Sequence, residues 1–347
     1  MSLRPADERF MRRALALAER GRGTTRPNPV VGAVIVRGGR IVAEGFHRRA
    51  GEPHAEVNAF AALRGPARGT TLYVTLEPCC HVGRTGPCTG AILAARPARV
   101  VVGCGDPNPV VDGKGIAQLR RAGIRVDVGC LEAECRAAIR SYAVWVRERR
   151  PLVTLKAAAT LDGRIADGRS RAARRPGWIT GPAARRAAHE LRAAHDAVLV
   201  GAGTVLADNP RLTVRLPGRT ATRPLRVVLA GRRRLPARAH VLDRSAPSLV
   251  IRGGRGRVPI RRALAELAAH DIQSVLVEGG AAVHGSFIAA GLVDRVALFV
   301  APALLGGGTP IAAGRGLPLA SALPLGPLAV RSVGPDLLIT ADVKREA

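Results

Sequence analysis

Two successive α/β domains are what this sequence predicts, and three observations carry the reading. The chain has 347 residues, enough for about two domains at roughly 150 residues each. Hydrophobic residues make up 47% and the mean hydropathy is +0.10, so the chain can bury real cores and is no disordered tail. In both halves short β-branched runs alternate with helical patterns, as in layered α/β domains; in the first half this spacing predicts a mostly parallel sheet.

The first domain opens with a helix over residues 7–20, where Phe10, Ala14, Leu17 and Ala18 recur at helical spacing. Strands over 30–36 and 41–45 are joined by Gly38-Gly39, a hairpin signal. A helix over 55–63 follows, then a strand over 71–76, a Cys/Gly/Pro loop and a helix over 89–95. A strand over 99–104, a helix over 116–122, a strand over 125–128 and a helix over 132–147 complete the domain. The boundary falls at Arg147-Glu148-Arg149-Arg150-Pro151, where a helix ends and proline restarts the chain as a strand. Residues 1–148 and 149–347 are therefore the expected domains. After the strand that Pro151 opens, strands are expected over 197–201, 225–230, 248–251, 274–278, 296–302 and 337–342. Helices are expected over 182–194, 260–270 and 283–290, and the Arg/Gly-rich stretches 164–176 and 211–222 as solvated loops. No internal repeat is present.

Composition excludes several function classes. No run of 18 apolar residues exists, so no transmembrane helix is expected. The first 21 residues carry Arg, Asp and Glu and lack a signal core; a soluble, cytoplasmic protein is expected. The net charge of +28 invites a nucleic-acid reading. The excess is even, however, with 25 basic and 13 acidic residues in 1–150 against 29 and 13 in 151–347. Only Lys114, Lys156 and Lys344 are lysines, and aromatics are 3%, leaving few stacking platforms. Dedicated nucleic-acid binding is not expected; Arg-rich sites for phosphorylated small molecules are.

All six cysteines lie between Cys79 and Cys135. In a chain of this size that is no disulfide scaffold; it points to a metal or catalytic site in the first domain. The strongest motif is His54-Ala55-Glu56 followed by Pro78-Cys79-Cys80-His81-Val82-Gly83-Arg84-Thr85-Gly86-Pro87-Cys88. One imidazole and two thiolates leave a fourth position open on a tetrahedral zinc, and zinc brings the pKa of water there near neutral. A carboxylate that is not a ligand must then move protons, and Glu56 is placed for it. Because i and i+2 do not share a helix face, His54 must stand at the very start of its helix, which Glu52-Pro53 favours. A structural zinc closed by His81 or Cys80 is the alternative, as are ordinary buried cysteines. H-x-E with P-C is nevertheless the pattern of zinc-dependent nucleobase deaminases.

Spacing narrows this further. Eight residues separate Cys79 from Cys88, where deaminases of free cytidine, RNA or DNA have two. With Thr75-Leu76-Glu77-Pro78 before it and His81-x-Gly83-Arg84-Thr85 inside it, the loop resembles that of the pyrimidine deaminase of riboflavin biosynthesis. The flanks agree: Asn28-Pro29-Val30-Val31-Gly32-Ala33-Val34, Gly45-Phe46-His47, Ala50-Gly51-Glu52-Pro53 and Asp106-Pro107-Asn108-Pro109. The resemblance makes Cys79, not Cys80, the ligand, so that zinc is held by His54, Cys79 and Cys88. Gly86 stands where this family usually has proline.

The second domain offers weaker signals by itself. Val275-Leu276-Val277-Glu278-Gly279-Gly280 ends a strand in glycines, which lets backbone N–H groups approach a phosphate; a plain strand-to-helix turn reads as well. Residues 201–210 read as a further polar loop where ligands tend to bind, Gly306-Gly307-Gly308 as a segment of unusual backbone angles or a flexible turn, and no G-x-G-x-x-G is present. Together with Lys156 to Ala166, Trp178-Ile179-Thr180-Gly181, Asp196 to Arg215 and Leu292 to Gly308, these stretches are similar to the reductase half of the same bifunctional family. The resemblance implies a cytidine-deaminase-like α/β/α domain followed by a dihydrofolate-reductase-like α/β domain. It implies NADPH near Ala158, Trp178, Thr204, Asp208 and the stretch Gly280, Ala281, Ala282, Val283, His284, Gly285 and Ser286. The phosphorylated pyrimidine substrate falls near Arg192, Leu212, Arg215 and Glu278. Without the resemblance, Arg192 also reads as a solvated helix charge and Glu278 as a helix cap.

Three departures from the family pattern stand out. Pro176 replaces a serine two residues before Trp178, residues 169–175 are a basic insertion, and Ala230-Gly231 replaces an Asp-Ser/Thr pair. Arg171, Arg174 and Arg175 in the insertion are read as a solvated loop or as attraction for the substrate's phosphate. The activity implied is zinc-dependent deamination of 2,5-diamino-6-ribosylamino-4(3H)-pyrimidinone 5′-phosphate, then NADPH-dependent reduction of the ribosyl chain to give 5-amino-6-(5-phosphoribitylamino)uracil. A homo-oligomer is expected. The rival readings are a nucleic-acid-editing deaminase with an accessory RNA-binding domain, and a zinc-stabilised binding module without activity. The Cys79–Cys88 spacing and few aromatics oppose the first, and Glu56, which a structural site does not need, opposes the second.

Overall fold

The computed structural model describes residues 3–83, 86–167, 178–217, 223–254 and 256–344. The chain divides into two compact units, residues 1–149 and 150–347.

The first unit contains helices α1 (Pro5–Ala18), α2 (Ala55–Ala62), α3 (Cys88–Ala95), α4 (Lys114–Arg121), α5 (Glu132–Ala138) and α6 (Arg140–Glu148). Its strands β1 (Gly32–Arg37), β2 (Arg40–Phe46), β3 (Thr71–Leu76), β4 (Arg99–Cys104) and β5 (Arg125–Val128) form one sheet in the order β2-β1-β3-β4-β5. Gly38 and Gly39 turn the β1–β2 hairpin with φ of +53° and +74°, the positive pair that glycine reaches without steric cost. Pairing is parallel for β3–β4 and β4–β5 but antiparallel for β1–β2 and β1–β3. The sheet is thus half parallel rather than mostly so, because the hairpin strand β1 also pairs antiparallel with β3. One face buries Phe10, Met11, Leu17, Cys135 and Tyr142, the other Ala55, Ala59, Ile92 and Leu119, which gives the α/β/α layering. The helix expected over 132–147 is two helices. Ile139 (φ −103°, ψ 11°) separates them with no glycine or proline to mark the break, and its own burial at that point shows packing overriding propensity.

The second unit contains β6 (Leu152–Thr160), β7 (Arg164–Ala166), α7 (Pro182–Ala193), β8 (Ala197–Gly201), α8 (Ala202–Asp208), β9 (Leu225–Gly231), β10 (Ser248–Arg252), α9 (Ile260–Ala269), β11 (Ser274–Val277) and α10 (Ala281–Ala289). Then follow β12 (Arg295–Ala301), β13 (Thr309–Pro310), β14 (Ala329–Val333) and β15 (Asp336–Asp342). Eight strands make one sheet in the order β10-β9-β8-β11-β6-β12-β15-β14, parallel from β10 to β12 and antiparallel at β15 and β14. Residues 202–208 form helix α8 where a polar loop is expected, and β7, inside the expected loop 164–176, pairs with β13 in a two-stranded ribbon. Strand β14 carries no periodic signal because it is an edge strand with only Val333 buried.

Candidate active sites

The first site assembles where α2, the loop after β3 and α3 converge. His54 is the N-cap of α2, with extended backbone (φ −74°, ψ 172°), so His54 and Glu56 escape the i, i+2 divergence of a regular helix. Cys88 is the first residue of α3, and its backbone N–H donates to Cys79 Sγ at 3.3 Å. His54 Nδ1 lies 3.2 Å from Cys88 Sγ and 3.5 Å from Cys79 Sγ. The three donor atoms lie within 4.8 Å of one another, and one nitrogen with two sulfurs is a donor set that suits zinc. Cys80 and His81 do not join them, which leaves no fourth protein donor in the cluster among the described residues. The hydrogen bond from Cys88, and then His54, hold the Cys79 thiol below the ordinary thiol range, while the Cys79 sulfur and burial push Cys88 up.

Glu56 is buried, and burial pushes its carboxyl up to about 7. It faces a cavity of about 240 Å³ that His54, Cys79, Asn28, His47, Asp106 and Asn108 also line. His47 Nδ1 lies 3.2 Å from the Pro53 carbonyl and its ring packs edge-on to His54 at 4.9 Å. Asn28 Nδ2 lies 3.0 Å from His47 Nε2. Burial raises Asp106 to about 6. These four wall residues lie in the stretches that carried the resemblance, yet sequence alone gave them no role, because nothing local says which polar side chains turn inward. Arg84 and Thr85 of the loop lie outside the described residues.

The second site is a cavity of about 450 Å³ beside β6 and α7, lined among others by Lys156, Ala158, Trp178, His189, Arg192 and Arg215. Arg192 donates from Nε and Nη2 to both oxygens of Glu278, at 2.6 and 2.8 Å, and from Nη1 to the Thr213 carbonyl at 3.1 Å. Neither the solvated-charge reading of Arg192 nor the cap reading of Glu278 survives that geometry. Lys156 Nζ is 3.9 Å from Glu278. Burial opposes ionisation of Glu278, yet Arg192 and Lys156 hold it down to about 2. His189 accepts the Arg215 N–H at Nδ1 (3.3 Å); burial and the flanking Arg192 and Arg215 keep it neutral down to about 4. Lys156 and His189 escaped assignment from sequence. Lys156 lies in the stretch of β6 that carried the resemblance and His189 three residues before Arg192 on α7, but neither position says which way its side chain turns.

The Arg192 fork is occupied by Glu278, whereas Arg215 and Arg185 line the same cavity with no ion pair among the described residues, Arg185 lying over the Trp178 ring and donating to the Thr180 carbonyl. Leu212 is buried with φ +54°. Trp178 is 73% exposed with the Arg185 guanidinium 5.1 Å from its ring centre. Thr204 and Gly280 meet at the carboxyl ends of β8 and β11: a Cβ on Gly280 would stand 3.3 Å from Thr204 Oγ1. Residues 281–286 are the first turns of α10. There the His284 ring is buried, with Nδ1 2.8 Å from the Ile311 carbonyl and Nε2 3.3 Å from that of Val277. Gly285 packs against Ala313, whose oxygen would lie 2.0 Å from an added Cβ. Asp208 sits at the exposed end of α8. Thr204, Asp208, Leu212, Glu278 and residues 280–286 do not line the 450 Å³ cavity, Glu278 standing behind Arg192. Pro176 and the insertion with Arg171, Arg174 and Arg175 lie outside the described residues.

Comparison with known proteins bears on both units. Residues 4–104 match the cytidine and deoxycytidylate deaminase zinc-binding region. Residues 151–339 match the RibD C-terminal domain. The riboflavin biosynthesis protein RibD of Bacillus amyloliquefaciens is 41% identical over 362 residues, covering 96% of each chain. That of Aquifex aeolicus is 40% identical over 329 residues, 89% of this chain and 90% of its own. Among solved structures, Acinetobacter baumannii RibD has a TM-score of 0.89 at 37% identity, covering 98% of this chain and 99% of that one. A diaminohydroxyphosphoribosylaminopyrimidine deaminase/5-amino-6-(5-phosphoribosylamino)uracil reductase from Thermotoga maritima has 0.88 at 38%, with the same coverage. The first unit therefore has the cytidine-deaminase-like fold and the second the dihydrofolate-reductase-like fold. Because identity at this level runs through both units and not through the metal motif alone, this chain belongs to the RibD family of bifunctional riboflavin-biosynthesis enzymes.

Proposed function

We propose that residues 1–148 deaminate 2,5-diamino-6-ribosylamino-4(3H)-pyrimidinone 5′-phosphate and that residues 149–347 reduce the ribosyl chain of the product to ribityl. The observation that carries this is the His54, Cys79, Cys88 donor set with Glu56 buried beside it on a cavity wall. Bound zinc supplies the acidity that makes water a nucleophile near neutral pH. Glu56, raised to about 7 by burial, is poised to take a proton from that water and deliver it to the leaving amine, since proton transfer is most efficient when the carrier's pKa is near the working pH. His47 holds the His54 side of the site through packing and its bond to Pro53.

In the second unit, Thr204, Asp208, Ala158, Trp178 and residues 280–286 are the proposed contacts of NADPH, which supplies the hydride. The close approach of Thr204 and Gly280, at the carboxyl ends of parallel strands β8 and β11, suits a dinucleotide. Arg215 and Leu212 are assigned to the substrate, with Arg215 facing the 5′-phosphate, because a guanidinium without a carboxylate is free to pair with phosphate. Arg192 and Glu278 act as one unit: Arg192 keeps Glu278 ionised and aimed, and Glu278 in turn meets the substrate. We further propose a cytoplasmic homo-oligomer, which light scattering of the purified protein tests. The activity itself is tested by absorbance at 340 nm with protein, zinc, the diaminopyrimidine substrate and NADPH. Loss of absorbance together with ammonia release is expected, and neither signal at substrate saturation sinks the assignment.

A further inference from the structure

Glu77 ends strand β3's run into the metal loop, two residues before Cys79, and is 3% exposed. Its carboxylate accepts four backbone N–H groups from one distant segment. Oε2 takes those of Asp106 (3.2 Å) and Gly113 (2.9 Å), and Oε1 those of Gly115 (3.0 Å) and Ile116 (3.2 Å). Its own N–H donates to the Cys104 carbonyl at 2.9 Å. Helix α4 starts after Gly113, which has no side chain to satisfy the helix's first N–H groups. Glu77 supplies that cap from outside the helix, where negative charge is also favoured by the helix dipole.

The contact is close on both sides. A Cβ on Gly115 would stand 2.1 Å from the Pro78 carbonyl oxygen, so the first turn of α4 rests directly on the peptide that precedes Cys79. The same carboxylate fixes Asp106, whose Oδ1 accepts the Asn108 N–H at 2.9 Å. Asp106 and Asn108 are cavity-wall residues, and Glu77 reaches the same wall with both of its oxygens already taken by backbone N–H groups. One buried carboxylate thus ties a ligand-bearing loop to the wall opposite it.

We propose that Glu77 is a positioning residue for deamination: it sets the Cys79 loop and the Asp106–Asn108 wall in register through α4, without touching the reacting atoms. This rests on the deaminase reading above, which zinc content and ammonia release of the unaltered protein establish independently. Glu77→Gln keeps the shape but turns an amide NH₂ toward N–H donors, so both bonds to whichever oxygen it replaces are lost. Groups that orient metal ligands typically cost about 10–100-fold in metal affinity or activity when altered. The expected result for Glu77→Gln is zinc release to a chelator about tenfold faster and a deamination KM about tenfold higher. With excess zinc restoring the ligands, kcat stays within about threefold. The cobalt-substituted variant shifts its thiolate-to-metal absorption band, a signature that a purely structural role does not move. Should Glu77→Gln fail to fold, Gly115→Ala pushes the same junction from the opposite side and is read identically. Wild-type zinc release, KM and cobalt spectrum in either folded variant overturn the proposal, while wild-type protein that neither binds zinc nor deaminates overturns the underlying reading instead.

Discussion

Glu56, Cys79 and Cys88 are the residues at which the first site can be broken selectively, with Cys80 as the neighbouring control. Glutamine at position 56 preserves volume and burial but cannot carry a proton, and loss of general acid–base catalysis alone costs about 10²–10⁴ in rate. Glu56→Gln should therefore release ammonia at least a hundredfold more slowly while zinc content, measured by metal analysis, stays at the wild-type level. Reduction of pre-deaminated substrate should continue unchanged. Deamination near the wild-type rate would remove Glu56 from its role. Among the cysteines the geometry gives an equally sharp contrast, because His54 Nδ1 lies 3.2 Å from Cys88 Sγ and 3.5 Å from Cys79 Sγ while Cys80 lies outside the cluster. Cys79→Ser and Cys88→Ser should each lose zinc, whereas Cys80→Ser should purify with a full complement. Equal loss from Cys80→Ser would rewrite the ligand set. The ligands were legible in sequence because zinc chemistry restricts them to a few residue types at recognisable spacing. Asp106, Lys156 and His189 were not, since a polar side chain acquires meaning only from what it turns toward. The pairing of Arg192 with Glu278 spans 86 positions, and no local pattern encodes it.

Among the elements, α1 is held to its sheet by more than its apolar face. Asp7 on α1 accepts from the Tyr73 hydroxyl of β3 at 2.7 Å and from Arg99 of β4 at 2.8 and 2.9 Å, and Arg99 also donates to Asp127 of β5 at 2.6 Å. Burial opposes the Asp7 charge, but the Arg99 guanidinium and the Arg4 N–H hold its carboxyl at about 2, below the ordinary 3.8. A carboxyl lowered on folding adds stability that is complete above its unfolded pKa and disappears as pH falls through the folded one. The shift corresponds to about 2 kcal/mol. Asp7→Asn should lower the urea-unfolding free energy of the first unit by about that amount at pH 7, with the gap to wild type halved near pH 3 and closing toward pH 2. A gap that stays constant from pH 7 to pH 3 would show that Asp7 acts through packing alone. Helix α1 itself was plain in the sequence because Phe10, Ala14, Leu17 and Ala18 repeat at helical spacing. Elements that bury little were not plain: β14 buries only Val333, and β7 and β13 together hold five residues, none fully buried. The break at Ile139 shows the converse limit, where tertiary packing interrupts a pattern that continues unbroken along the chain.

At the scale of the whole molecule, each apolar cluster among the described residues is drawn from one unit, two from residues 1–149 and three from residues 150–347. Separate cores imply that each activity should fail with its own unit. Asp294 offers a way to weaken one without touching either site. Its oxygens accept from Arg150 at 2.6 and 2.8 Å and from the Val153 N–H at 2.8 Å, and both partners of the ion pair are buried. Asn at this position removes the charged half of a buried, doubly hydrogen-bonded ion pair, a loss of about 3–5 kcal/mol. For a unit of this size that corresponds to a melting point lower by about 10 °C. After brief incubation at rising temperature, Asp294→Asn should lose NADPH oxidation about 10 °C below wild type, while ammonia release follows the wild-type curve. If the two activities instead disappear together at the lowered temperature, the units unfold as one body, and the division of the chain into separate cores does not describe how it melts.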